Sequence, residues 1–170
     1  LTIRSRSSGD VSRTAGRTPP DSTLGFGAQG VLTIRGNLPR GGQTTLNASY
    51  GVQTGSAAVR VKVLAPDIID PGVPADARTY FGQGGGPAPA FVYPFPRTML
   101  PRNLPPIRLQ WSGSATAKVY RLHIASPTFE QDLYFGPQRC SGVQCGVALA
   151  DDTWANLLRS VAGGEATLTI

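Results

Sequence analysis

The feature that most constrains the fold is an alternation of apolar and polar residues, confined to short segments between glycines and prolines. In "SAAVRVKVL" (56–64), for example, three valines alternate with Arg60 and Lys62. Successive side chains of a strand point to opposite faces, so this pattern is typical of a half-buried strand. The 21 glycines and 15 prolines among the 170 residues separate such segments and disfavour long helices. The chain is therefore predicted to be all-β, with many short strands.

The alternation recurs in both halves of the chain. The predicted strands are 30–36, 43–51 and 56–64 in the first half, and 106–111, 117–125, 128–136, 145–150 and 165–170 in the second. One short helix is predicted between the last two strands, in "DDTWANLLRSVAGG", where Asp151 or Asp152 can cap it and Gly163 ends it. Its apolar stripe consists of Trp154, Leu157, Leu158 and Val161.

A break in composition divides the chain in two. Residues 66–90 contain five prolines and five glycines and have no periodic apolar face, so we interpret them as a linker. We expect this linker to be ordered by packing, with Tyr80 and Phe81 against a flanking domain. The regular strand spacing on either side predicts one β-sandwich at 1–65 and a second, which carries the helix, at 91–170.

The proline-rich stretch "FVYPFPRTMLPRNLPPIRLQW" (91–111) is interpreted as the stiff start of the second sandwich. Its prolines restrict an extended edge segment, and alternation resumes after Pro106. Trp111 and Trp154 share their faces with leucine and isoleucine, which favours burial over exposure as a ligand platform. The predicted core anchors are Trp111, Trp154, Tyr120 and Leu122.

The two cysteines, Cys140 and Cys145, lie in "CSGVQC". A structural metal site would need four ligands, and the single histidine leaves too few, so no metal or other cofactor is expected. The remaining alternatives are a local disulfide and two unrelated thiols. The even count and close spacing favour the disulfide, which would persist in an extracellular or cell-surface setting.

Groups suited to catalysis are sparse. His123 is the only histidine and lies on the predicted outer face of its strand, and no G-x-S-x-G motif is present. The adjacent Asp151 and Asp152 fit a helix start better than a pair of catalytic carboxylates. Glu130 and Asp132 share one face of a strand and could bind a cation weakly, but they fit a solvated surface better. We therefore expect no catalytic or cofactor-binding residues and no enzyme activity.

The net charge is +6, and fourteen of the sixteen basic residues are arginine. These arginines are scattered along the chain, whereas a nucleic-acid-binding protein concentrates them on one element or among aromatic residues, which argues against nucleic acid as a partner. No run of about 18 apolar residues occurs, so we expect no membrane span. The ends, "LTIRSRSSGD" and "EATLTI", favour a mature form or a piece of a longer protein.

Two resemblances follow from these motifs. The 91–111 stretch, followed by "VYRLHIA", the cysteine pair and "DDTWANLLRSVAGGEATLTI", resembles a fibronectin type III-like or immunoglobulin-like module of myxobacterial-type surface proteins and lipoproteins. "GVLTIRGNLPRGGQTTLNASYGVQTGSAAVRVKV" is similar to the second half of a bacterial Ig-like domain of the type 2 group. The resemblances imply two tandem Ig-like and fibronectin III-like sandwiches. They also imply a non-catalytic role in cell-envelope or secreted proteins.

The resulting hypothesis is a structural or adhesive module that holds a distal element at a set distance. Its expected partners are other copies of the chain or neighbouring envelope proteins. The first sandwich lacks a clear first half, so a terminal strand could fill the open edge of a neighbour. The candidate strand-exchange segment comprises Leu1, Thr2, Ile3 and Arg4. The alternative is a carbohydrate-binding module, with polysaccharide as its partner, which would present two coplanar exposed rings in a groove.

Overall fold

The computed structural model describes residues 16–18, 25–28, 31–34, 38, 40–50, 52–82, 89–101, 103–114, 116–161 and 163–170. These residues form several β-sheets and one short α-helix, which confirms the prediction of an all-β chain with a single short helix. The predicted strand-exchange segment, Leu1 to Arg4, lies outside the described residues.

The strands of the first half begin with β1 (Gly16–Thr18), β2 (Gly25–Ala28), β3 (Val31–Ile34), β4 (Gly42–Tyr50) and β5 (Gln53–Val61). They are followed by β6 (Val63–Leu64), β7 (Ile68–Ile69) and β8 (Ala90–Tyr93). The second half contains β9 (Arg108–Ser112), β10 (Tyr120–Ala125), β11 (Phe129–Phe135), β12 (Cys140–Ser141), β13 (Gln144–Ala148), α1 (Asp151–Val161) and β14 (Thr167–Thr169).

The dominant element of the first half is the long antiparallel hairpin β4–β5, paired from Gly42↔Val61 to Tyr50↔Gln53. β1 pairs with the other side of β4, and β2 and β3 form a separate two-stranded sheet. Residues 53–58 of β5 are all exposed, and only Val61 at its end is buried. This hairpin therefore contributes little to the hydrophobic core of the described chain.

β6, β7 and β8 join the strands of the second half in a β-sandwich of two sheets. One sheet has the order β14-β10-β11-β6, with β7 also pairing with β11, and the other has the order β12-β13-β9-β8. Alternate residues of β9, β10 and the first part of β11 are buried, as their sequence alternation predicts. Side chains from both sheets and the helix share one core: Leu109, Trp111, Tyr120, Leu122, Ile124, Phe129, Leu133, Phe135, Cys145, Val147, Leu149, Trp154 and Leu157.

Trp111 lies at the centre of this core. Its ring is 5.6 Å from that of Tyr120 and 6.1 Å from that of Phe135, so it joins the two sheets. Aromatic pairs at such distances contribute about 0.5–1.5 kcal/mol beyond the burial of their area. All four predicted core anchors, Trp111, Trp154, Tyr120 and Leu122, are buried.

Helix α1 covers one end of the sandwich. It buries Trp154 and Leu157, while Leu158 and Val161 pack at the edge of the core. The indole Nε1 of Trp154 donates a hydrogen bond to the carbonyl oxygen of Leu104, at 2.8 Å. This bond ties the proline-rich stretch to the helix, as expected if that stretch belongs to the sandwich.

A segment that includes much of the predicted linker is fixed to the sandwich; we call residues 63–82 the strap. β6 and β7 both pair in parallel with β11. The amides of Ala65 and Asp70 donate to the carbonyls of Glu130 and Tyr134, each at 2.9 Å. The division of the chain at residues 65 and 90 stays a prediction, but the described first part of the predicted linker adds an edge to the sandwich sheet.

Cys140 and Cys145 form a disulfide, which confirms that prediction and excludes two separate thiols. They are directly opposite each other in the β12–β13 hairpin. Gly142, in the turn between these strands, has a φ of 62°, a conformation that favours glycine. The cross-link closes this turn on the sandwich core, where Cys145 is buried.

Candidate functional site

The most strongly bonded part of the strap is an ion pair between Asp70 and Arg139. The guanidinium Nε lies 2.5 Å from Asp70 Oδ2, and Nη2 lies 2.8 Å from Oδ1. Asp70 is 8% exposed. The hydrogen bonds to Asp70 raise the pKa of Arg139 above its usual value. A two-bond pair of this geometry fixes direction as well as distance, so it holds the strap in one position.

Side-chain amides and aromatic rings reinforce this attachment. Gln131 and Gln138 donate to the carbonyls of Pro66 and Pro71, at 2.9 and 3.0 Å. The Phe81 ring lies 5.8 Å from that of Tyr134. Burial is the main cause that raises the pKa of Tyr134. The Arg121 guanidinium lies 5.4 Å from the centre of the Phe81 ring, and the strap is thus held along its length.

The outer face of β10 and β11 carries a row of ion pairs. His123 Nδ1 lies 2.7 Å from Asp132 Oδ1, and Arg121 Nε lies 3.9 Å from the same oxygen. Among the described residues, no serine, threonine or cysteine side chain is hydrogen-bonded to His123. The described contacts therefore give a histidine–carboxylate pair without a nucleophile.

Glu130 continues this row of ion pairs. It forms an ion pair with Lys62, and the hydrogen bond from Lys62 is the main cause that lowers the pKa of Glu130. Both carboxylates that could have formed a weak cation site, Glu130 and Asp132, thus face basic partners. The described residues contain no group of three or more His, Cys, Asp or Glu side chains that could hold a metal ion.

A second surface lies at the outer edge of the sandwich; we call it the edge groove. It has a volume of about 510 Å³ and is lined by Val92, Tyr93, Phe95, Ile107, Arg108 and Gln110. Phe95 is 69% exposed and Val92 is 53% exposed. The peptide bond between Tyr93 and Pro94 is cis, in a turn at the end of β8. Apolar side chains are therefore presented at the border of a sheet.

The rings of the edge groove do not form a flat platform. Those of Tyr93 and Phe95 are 6.3 Å apart with an angle of 82° between their planes, in an edge-to-face arrangement. A sugar ring stacks on the face of an aromatic ring, so two perpendicular rings offer no common surface. β8 itself pairs on one side, with β9, and is the last strand of its sheet within the described chain. Such an edge can accept a further extended strand.

The comparisons with known proteins give no relative for the chain: no family model, no curated protein and no solved structure matches it. No helix among the described residues is long and apolar enough to cross a membrane. The function is therefore inferred from the geometry of the molecule.

The Asp70–Arg139 ion pair that holds the strap was not predicted from the sequence. Asp70 and Arg139 are 69 positions apart, and neither stands in a motif. The local signal was an aspartate in "IIDPG", after two branched apolar residues, which is compatible with the end of a strand. The dense prolines and glycines of the segment favoured a linker instead.

Proposed function

We propose that the chain is a non-catalytic structural or adhesive module of an extracellular or cell-envelope protein, with an Ig-like or fibronectin III-like sandwich as its main body. The observation that carries this proposal is the strap. A connecting segment that pairs with the sheet and is held by a two-bond ion pair of the buried Asp70 keeps a fixed position relative to the sandwich. The disulfide is compatible with an oxidising location.

The mechanism is rigid presentation. β5 ends at Val61 and β6 begins at Val63, so only Lys62 separates the hairpin from the strand that joins the sandwich sheet. A hairpin connected through one residue keeps a nearly fixed direction relative to the sandwich. The module therefore acts as a spacer: whatever is attached beyond the tip of the β4–β5 hairpin is held at a set distance from the sandwich.

Backbone dynamics test this mechanism. NMR order parameters of the strap amides should equal those of β10 and β11, at about 0.85, the usual value for rigid backbone. Order parameters below about 0.6 for residues 63–82 would show a flexible tether and would overturn the spacer role.

The edge groove supports association through strand edges. Val92 and Phe95 expose apolar surface on and next to β8, and within the described chain β8 pairs with β9 alone, so its other side is open to pairing with another strand. The alternative, a carbohydrate-binding module, predicts coplanar rings, and the perpendicular rings of Tyr93 and Phe95 argue against it at this groove.

Sedimentation of the whole chain tests the association. We expect concentration-dependent oligomers that are lost in Val92→Lys/Phe95→Lys. Met99→Lys is the matched control, because Met99 is 94% exposed and does not line the groove. A monomer at all concentrations, or oligomers that persist in the double variant, would contradict the proposal. Binding of a neutral polysaccharide that Phe95→Lys abolishes would support the alternative function instead.

A further inference from the structure

A third surface lies where the base of the β4–β5 hairpin meets the sandwich; we call it the junction cleft. It has a volume of about 720 Å³, within the range of small-molecule sites. Its walls are the start of β4, the end of β5, the turn between β10 and β11, and the end of α1 with the residues that follow. It is lined by Arg40, Gly41, Gly42, Gln43, Arg60, Ala125, Ser126, Pro127, Thr128, Arg159, Ser160, Val161, Gly164, Glu165 and Thr167.

Direct contacts between the hairpin and the sandwich fix the walls of the junction cleft. The Gly41 amide donates to Ser160 Oγ at 2.9 Å, and Thr128 Oγ1 donates to the Ser160 carbonyl at 2.7 Å. A Cβ atom on Gly41 would lie 1.8 Å from the Thr128 carbonyl oxygen, so only glycine allows this approach. Contacts within the fold therefore shape the cleft without a ligand.

The charge of the junction cleft is unbalanced. Arg60 and Arg159 line it, and Glu165 is the only carboxylate among the described lining residues. Arg60 and Arg159 form no ion pair with any carboxylate of the described residues, whereas Arg78 and Arg139 on the strap side pair with aspartates. Cations that face one cavity repel each other, and an anion bound between them would relieve this repulsion.

The position of Arg159 has a partial structural explanation. It lies in the last turn of α1, where the helix dipole favours a positive charge. Arg60 has no such explanation, because it lies on β5 and its Nη2 contacts only the side chain of Gln43, at 3.4 Å, among the described residues. Arg60 therefore lines the cleft without a charged partner among the described residues.

We propose that the junction cleft binds the oxyanion group, carboxylate or phosphate, of an acidic saccharide. A guanidinium group can donate two parallel hydrogen bonds to either oxyanion. Gln43 and Thr167 add an amide and a hydroxyl group to the lining, and these suit the hydroxyls of a sugar. The site shares no lining residue with the edge groove and does not depend on the proposed association.

The lining favours a saccharide over a nucleic acid. No aromatic side chain is among the described lining residues, so bases would find no ring to stack on. The arginines face one concavity, whereas a duplex is bound along an extended basic surface. Without stacking, affinity depends on charge and should fall as salt increases.

Calorimetric titration of the whole chain tests the proposal. The probes are trigalacturonate, which carries carboxylates, glucose 6-phosphate, which carries a phosphate, and maltotriose, which is neutral. At low salt we expect binding of at least one anionic probe and none of maltotriose. Arg60→Gln/Arg159→Gln should weaken that binding about tenfold or more, since each charged hydrogen-bonding group typically contributes a severalfold effect. Arg97→Gln is the charge-matched control for each single variant, Arg60→Gln and Arg159→Gln, since Arg97 is exposed and lies outside the cleft lining, and it should change affinity less than about twofold.

Each probe and variant has a decisive outcome. Preference for trigalacturonate identifies a carboxylate, and preference for glucose 6-phosphate identifies a phosphate. Unchanged affinity in the double variant would overturn the site. So would a loss in Arg97→Gln as large as that in Arg60→Gln or Arg159→Gln, because it would show diffuse attraction by the net charge. Failure of both anionic probes to bind at millimolar concentration, or tighter binding of a DNA duplex through the same arginines, would also overturn it.

Discussion

The β4–β5 hairpin and the sandwich are built from the same alternating pattern, yet among the described residues only the sandwich has a core. In β10, every second residue is buried, whereas residues 53–58 of β5 are exposed on both faces. The buried residues of β10 are tyrosine, leucine and isoleucine, while this part of β5 contains only Gln, Thr, Gly, Ser and Ala. Alternation therefore specifies a strand, and side-chain size decides whether that strand can anchor a core.

The strap, in contrast, lacks a periodic apolar face in its sequence but is held to the sandwich. Its prolines and glycines suggested a linker, yet it is attached through main-chain pairing, an ion pair of the buried Asp70 and the contact of Phe81 with Tyr134. Val63, Ala65 and Ile68 also pack against the core, so polar contacts and apolar packing both hold the strap. Perturbing a core residue, the disulfide, the strap and a surface ion pair separates these sources of stability.

The largest expected effect comes from a matched pair of leucines. Leu122→Ala should lower the free energy of unfolding by about 2–5 kcal/mol, because Leu122 is 1% exposed in the core. Leu46→Ala in β4 should cost about 1 kcal/mol or less, since Leu46 is only half-buried. Urea denaturation followed by tryptophan fluorescence measures both. Equal losses would show that the hairpin carries a core of its own.

The second effect concerns the β12–β13 hairpin, which, unlike β4–β5, is cross-linked. Cys140→Ser/Cys145→Ala should reduce stability by about 2 kcal/mol, the contribution of a short closed loop in the chain-entropy model. Thermal unfolding of the variant, compared with the wild-type chain, gives the difference. A variant as stable as the wild type would show that sheet pairing alone holds this hairpin.

The third effect tests the ion pair that attaches the strap to the sandwich. Asp70→Asn should cost about 1–3 kcal/mol and speed tryptic cleavage after Arg78, because the strap loses its charged hydrogen bonds to Arg139. Asp67→Asn is the matched control: its partner Arg78 has a side chain that is 63% exposed, so about 1 kcal/mol or less is expected. If Asp70→Asn and Asp67→Asn are cleaved at the same rate, the Asp70–Arg139 pair does not hold the strap.

The smallest effect is a pH dependence at the start of the strap. The folded-state pKa of Glu130 is lowered by Lys62, so the pair adds stability above the unfolded pKa of about 4.3, and this is lost as pH falls through the folded value. Glu130→Gln should remove this acid-sensitive part, under about 1 kcal/mol because both side chains are partly exposed. Lys62→Gln should flatten the pH profile equally. A Glu130→Gln profile that matches the wild type would exclude the pair as its source.

Much of the fold could be predicted from the sequence, because local patterns carry it. The strands around Leu122 and Leu133 follow from alternation, and the helix from Asp151 that ends near Gly163 follows from its acidic first turn and from glycine placement. Asp151 and Asp152 both lie inside the first turn of the helix and not at the predicted cap position. Gly163 has a φ of 89°, which explains why glycine stands there. Burial of Trp111 and Trp154 followed from the apolar faces that they share.

The candidate sites could not be predicted in the same way. The parallel pairing of the strap joins residues about 65 positions apart. It uses the amides of Val63, Ala65 and Asp70, and Pro66, the one proline between Val63 and Asp70, does not interrupt these bonds. The junction cleft brings together Arg60 and Arg159 only through the close approach at Gly41. Such sites depend on tertiary packing, for which a single sequence has no local signal.

Native-state hydrogen exchange of the whole chain tests most directly whether the strap is part of the sandwich. The amides of Val63, Ala65 and Asp70 donate to main-chain carbonyls of residues 128–134. They should open with the same free energy as the amides of Leu122 and Leu133 in β10 and β11. Exchange as fast as that of the exposed residues 53–58 of β5 would contradict the account and leave the strap a linker.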